Sequence, residues 1–109
     1  MTIVKKNAGE YTRYALSGTA LSLGDGELTL DLAERERDYR VDVDVFRGAD
    51  GALTIGAGRR YVAQIGIPAR RYEIRGTGLA DDMGFEVLAK TAVPLDADAV
   101  TLTLWATEG

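Results

Sequence analysis

The side chains with reactive potential in this sequence are carboxylates, arginines and hydroxyls, because neither cysteine nor histidine occurs among its 109 residues. Without thiol or imidazole there is no disulfide framework, no Cys/His metal or haem site, and no histidine base for a Ser/His/Asp-type triad. Asp42 and Asp44 alternate with Val41, Val43 and Val45, which sets both carboxylates on one face of a strand, roughly 7 Å apart. That separation suits a carboxylate pair or a hard cation, but the same alternation is the ordinary pattern of a strand with one wet face, and no third ligand follows at loop spacing. Asp81, Asp82, Asp96 and Asp98 do not fit the D-x-[DN]-x-[DN]-G pattern of a calcium loop. Gly56-Ala57-Gly58-Arg59-Arg60 lacks both the third glycine of a dinucleotide fingerprint and the Lys-Ser/Thr ending of a P-loop, and a strand follows it instead of a helix. No cofactor, metal or catalytic residue is expected.

Charge is distributed more informatively than any motif. Residues 59–75 carry Arg59, Arg60, Arg70, Arg71 and Arg75 against Glu73, a local +4, whereas 25–50 and 76–109 are each −5 within a chain of net charge −4. If the basic segment forms adjacent strands, its arginines gather on one edge. Such an edge suits contact with acidic surfaces of a protein partner or of further copies; a net-negative chain repels a polyanion, so nucleic acid is not the expected partner. Trp105 is the second candidate binding residue. With Val100, Leu102 and Leu104 turned to the core, Thr101, Thr103, Trp105 and Thr107 share the opposite face, and Phe46 stands in the same relation to Val41, Val43 and Val45. A large aromatic there is either covered by another element or offered to a partner, a ligand or a sugar ring.

These residues must be positioned by strands. No window satisfies the helical i, i+3, i+4, i+7 template, while period-two alternation recurs at Leu21/Leu23, Leu28/Leu30/Leu32, Val41/Val43/Val45, Tyr61/Ala63/Ile65/Ile67 and Val100/Leu102/Leu104, with further candidates at Tyr14/Leu16, Tyr72/Ile74 and Phe85/Val87/Ala89. Glycine-rich breaks separate them at 17–19, 24–26, 48–51, 56–58 and 76–84. The pattern predicts one all-β domain over 1–109, an antiparallel sandwich or barrel of about seven to nine short strands.

Two turns can be assigned from register. A two-residue Asp25-Gly26 loop sets Leu23 opposite Leu28 and Leu21 opposite Leu30, and Asp-Gly is a favoured type I′ pair. A three-residue loop over 49–51 sets Val45 opposite Ile55 and Val43 opposite Ala57, with Gly51 left-handed. The parity of the apolar residues changes between Leu32 and Val41, so the chain must break over 33–40, as a loop, a bulge or at most one short helical turn near 32–39.

There is no secretory h-region, and no apolar run approaches the roughly 20 residues needed to cross a bilayer. The expectation is a cytoplasmic protein, or one assembled into a particle made in the cytosol. Its function is expected to be non-enzymatic: a structural or protein-interaction module that self-associates in a larger assembly, of which a phage or virus-like particle part is one form. The alternative is a carbohydrate- or small-ligand-binding module using Trp105.

Overall fold

The computed structural model describes residues 1–106 and is all-β: ten strands, one four-residue helix and one 3-10 turn. Thr107, assigned above to the face of Trp105, lies outside the described residues. Strands β1 (Thr2–Lys5), β5 (Val41–Arg47), β6 (Leu53–Ile55), β7 (Arg60–Ile67) and β10 (Thr101–Leu104) form a mixed sheet in the order β1-β10-β7-β5-β6. Strands β2 (Tyr14–Ser17), β3 (Ala20–Leu23) and β4 (Leu28–Asp31) form an antiparallel meander, and β8 (Tyr72–Ala80) pairs with β9 (Glu86–Ala92) as a separate hairpin.

One core joins the first two sheets. Leu21, Leu23 and Leu30 of the meander and Leu32 pack with Val43, Val45, Val62, Ala63, Ile65, Ile67, Leu102 and Leu104, all buried. The Asp25-Gly26 turn forms in the expected register, Leu23 opposite Leu28 and Leu21 opposite Leu30, with φ of 57° and 94° at its two central residues. The 49–51 loop also forms as expected: Val45 opposes Ile55, Gly48 N–H donates to Ala52 C=O at 2.9 Å, and Gly51 is left-handed. The β5–β6 ladder ends at Ile55, so Val43 is opposed to Ile65 of β7, and the pair with Ala57 does not form.

The change of parity after Leu32 is resolved by α1 (Leu32–Arg35) and an irregular segment to Arg40. Asp31 caps this turn, its carboxylate accepting from Ala33 N–H at 3.1 Å. Rotation about the helix carries the chain onto the other sheet, and Leu32 stays in the core. The N-terminal residues add an edge strand, β1, parallel to β10 with Thr2 opposite Thr101.

The molecule is long, 67 × 22 × 20 Å with a radius of gyration of 18.8 Å, against about 13 Å for a compact domain of this length. The β8–β9 hairpin pairs with no other strand and is almost entirely exposed. None of the described helices is long and apolar enough to cross a membrane.

Candidate functional site

Residues 72–92 leave the body as an arm. The sequence pattern places Tyr72/Ile74 and Phe85/Val87/Ala89 as half-buried strands separated by a glycine break at 76–84; instead β8 runs through Gly76 and Gly78 to Ala80 and pairs only with β9. The ladder sets Tyr72 opposite Ala92 and Gly76 opposite Leu88, then accommodates a bulge before Ala80 meets Glu86. Alternation therefore reports strand geometry correctly here, but the register sets Ile74 and Leu88 on one face and Val87 and Ala89 on the other, and both faces are largely exposed. Ile74, Leu79, Met83, Phe85 and Leu88 are 62–79% exposed, and Tyr72 and Ala89 alone within the two strands are half-buried.

The arm's tip is tightly organised. Asp81 N–H donates to Phe85 C=O at 2.8 Å, Gly84 N–H to Asp81 C=O at 3.0 Å, and the Asp81 carboxylate accepts from Met83 and Phe85 N–H, each at 2.9 Å. With Gly84 at φ 84°, this is the same three-residue loop as that closing on Gly51. The signal for it is the Asp81-x-x-Gly84 spacing, an acceptor at the loop's start and a left-handed glycine at its end. Asp81 thus serves the backbone. So does Asp96, which caps the 3-10 turn Ala97–Ala99 by accepting from Asp98 N–H at 3.0 Å.

The arm's root is held by Arg70. Its backbone N–H donates to Arg37 C=O at 2.7 Å, its guanidinium lies 3.4 Å from both Glu36 and Asp38 carboxylates, and the Tyr72 hydroxyl donates to Asp38. The guanidinium is held more basic than usual, first by its hydrogen bond to Tyr72, with burial opposing and Glu36 assisting. Lys90 sits 4.1 Å over the Tyr72 ring, and Arg75 pairs with Glu73 on the opposite face of the hairpin. The five arginines of the basic segment therefore do not share one edge. β7 and β8 belong to different sheets, so Arg70, Arg71 and Arg75 lie at and above the root, while Arg59 and Arg60 lie at the other end of β7.

That other end is the second notable surface. Arg47, Arg59 and Arg60 rim an open depression of about 300 Å³ with Gly48, Ala49 and Gly51. Beside it, Phe46, Tyr61 and Trp105 form a row across β5, β7 and the end of β10, with ring centroids 4.7 Å and 4.4 Å apart. Period-two reading places Tyr61 inward with Ala63 and Ile65. A bulge overturns this: Val45 opposes Ala63 but Phe46 opposes Tyr61, so Val62 is the extra residue, Val62 and Ala63 both turn inward, and Tyr61 moves to the outer face. Phe46 and Trp105 lie on that face as the alternation implies, and Trp105 is half-buried against Tyr61.

Chain similarity adds no family to this geometry. No protein-family model, curated protein or solved structure matches the chain. The site is accordingly read from its own groups. Asp44 accepts from the Tyr61 hydroxyl and from Gln64 Nε2 at 3.0 Å, while Asp42 pairs with Arg40 at 3.1 Å. The Tyr61 phenol is pushed up to about 12, by burial first and then by its hydrogen bond to Asp44 and that carboxylate's charge. The Asp42/Asp44 pair is thus committed to partners close by, Arg40 just before β5 and Tyr61 and Gln64 on β7. Among the described residues no three acidic side chains converge on a point where a cation could sit.

Proposed function

We propose that the chain is a non-enzymatic assembly module that associates with further copies of itself through the β8–β9 arm. The observation that carries this reading is the set of large apolar side chains on a hairpin that its own body does not cover. A two-stranded hairpin without a packed face is marginal in water, and Ile74, Leu79, Met83, Phe85 and Leu88 together would release about 5–10 kcal/mol if covered. That is the scale of the freedom lost on association, about 4–15 kcal/mol, so one arm contact is weak alone and stable within a multi-copy assembly. A phage or virus-like particle built in the cytoplasm is a concrete setting for such a part.

Replacing residues 77–87 by Asn-Gly keeps Gly76 opposite Leu88 and closes the shortened arm with a type I′ turn. Light scattering over a wide concentration range is expected to give masses rising above the 11.7 kDa of one chain for the full protein, and one chain for the short-armed form. A full-length protein that stays monomeric at millimolar concentration and at all salt concentrations refutes the reading.

The aromatic row favours one alternative. Phe46, Tyr61 and Trp105 beside Gln64 and Asp44 make a half-buried platform of the kind that stacks a sugar ring. A saccharide-dependent shift of Trp105 emission in the short-armed monomer supports carbohydrate binding; an unchanged spectrum across a saccharide panel removes it.

A further inference from the structure

We infer that two copies join by pairing their β9 edges antiparallel about a two-fold axis at Leu88, so that two arms become one four-stranded sheet. This rests on the arm-mediated self-association proposed above and adds which edge meets which, and in what register.

The outer edge of β9 is the open one. Strand β9 is seven residues of continuous ladder without glycine, whereas the edge strands β1, β6, β2 and β4 of the other two sheets are three or four residues long. Its hairpin partner β8 is interrupted between Gly76 and Ala80, and its root is flanked by residues 36–38. There Arg70 N–H donates to Arg37 C=O and the Tyr72 hydroxyl to Asp38. Backbone direction along β9 follows from two bonds. Val93 N–H donates to Arg71 C=O at 2.9 Å and Val87 C=O accepts from the Thr77 hydroxyl at 2.8 Å, so the odd-numbered residues turn their backbone groups to β8. In an antiparallel ladder the alternate residues turn theirs away. Glu86, Leu88 and Lys90 therefore present N–H and C=O groups along an exposed edge, a template for another strand.

The side chains of that edge are self-complementary. Glu86 and Lys90 stand two residues either side of Leu88 and on its face, roughly 14 Å apart and too far to pair within one arm. Antiparallel pairing centred on Leu88 sets Leu88 against Leu88, Val87 against Ala89, and Glu86 against Lys90 of the second copy. Opposite-charge cross-strand pairs are favourable, and two form across one axis. In the single chain Glu86 lies over Gly76 and Lys90 over the Tyr72 ring, both leaning toward β8, which leaves the outer edge uncovered. The new pairs form by side-chain rotation. Other registers are opposed. A one-residue slide mismatches the outward backbone groups, a two-residue slide sets Leu88 against Glu86 or Lys90, and a four-residue slide sets Lys90 against Lys90 or Glu86 against Glu86. A two-fold contact uses the same edge on both copies and closes on two, so growth beyond two copies requires a further surface.

Charge reversal and a single cysteine test this. Glu86→Lys and Lys90→Glu each place two like-charged pairs across the axis, and each is expected to associate about tenfold more weakly than the parent in light scattering. The double variant Glu86→Lys/Lys90→Glu restores both opposite-charge pairs and the parent's association. Because it carries both local changes, its recovery shows that the single losses arise across the axis and not within the arm. The parent has no cysteine. Leu88→Cys sets two thiols on directly opposed residues about 5.5 Å apart at Cα. Under mild oxidation it is expected to form a disulfide-linked dimer at least tenfold faster than Thr91→Cys, whose counterparts lie about 20 Å apart. Suppose the parent associates and the short-armed form is monomeric. If Leu88→Cys then cross-links no faster than Thr91→Cys, or the double variant stays weak, self-association through the arm stands and the β9 pairing is overturned. If the parent never associates, both readings fall together.

Discussion

Replacing Tyr61 by Phe removes one hydroxyl and nothing else from the aromatic row, which makes it the most informative single change. Its O–H donates to the Asp44 carboxylate, whose other donor is Gln64. A hydrogen bond to a charged group contributes about 1.5–3 kcal/mol. Because Asp44 is half-buried and regains partial hydration, the lower figure applies, and the variant should melt about 6 °C below the parent at pH 7. The same contact makes the difference pH-dependent. The phenol's folded value of about 12 lies above its ordinary 10, so its contribution is fully present below pH 10. As pH rises from about 10 to 12 the unfolded chain ionises this group while the fold withholds it, and that share of stability is lost. Urea denaturation of both proteins at pH 7, 8.5 and 11.5 should show a constant gap at the first two and a narrowed gap at the third. Absorbance at 295 nm should show a late phenolate step near pH 12 in the parent that is missing in the variant. A gap unchanged at pH 11.5, or a late step that survives in Tyr61→Phe, would refute the reasoning.

Two leucines separate body from arm in the same way. Leu21 is fully buried and Leu79 is 67% exposed, so Leu21→Ala should cost about 3 kcal/mol by urea denaturation while Leu79→Ala stays within about 0.5 kcal/mol; comparable losses would mean the arm packs on its own body. Thr12 is buried with its hydroxyl oxygen unpartnered, so the isosteric Thr12→Val should raise stability by about 1 kcal/mol, and a lower melting temperature would show that the hydroxyl is satisfied in solution.

The body was largely legible because its strands have one covered face. Leu21, Leu23, Val43, Val45, Leu102 and Leu104 alternate with polar residues and all lie in the core, and both turns followed from setting apolar residues opposite one another. What alternation cannot register is an inserted residue. Val62 gives no local sign of being extra, since either parity of β7 puts an apolar residue inward, and so Tyr61 is read onto the wrong face. Nor can alternation report what covers a face. Ile74, Phe85 and Val87 have the spacing of core residues, and an apolar face left exposed is written the same way as one buried in its own chain. Gly76 and Gly78, read as a break, lie within β8, where a gap over Gly76 holds the Glu86 side chain. The arginines failed to gather because sequence neighbours in the basic segment fall at opposite ends of one strand.

The parallel pairing of β1 with β10 has a consequence for how the body is made. Thr2 lies opposite Thr101 and its N–H donates to Val100 C=O at 2.9 Å, partners nearly a hundred positions apart in sequence, which makes closure of this edge a slow, entropically costly step. On the ribosome β1 is made long before β10 and waits for it, and until Leu104 emerges the β7 edge that receives β10 stands open beside the core face. The arm, by contrast, zips from its own turn on a microsecond scale. A nascent chain thus presents an exposed apolar hairpin and an open strand edge before its body is sealed, the kind of surface whose contacts with neighbouring chains synthesis rate and local concentration keep in check.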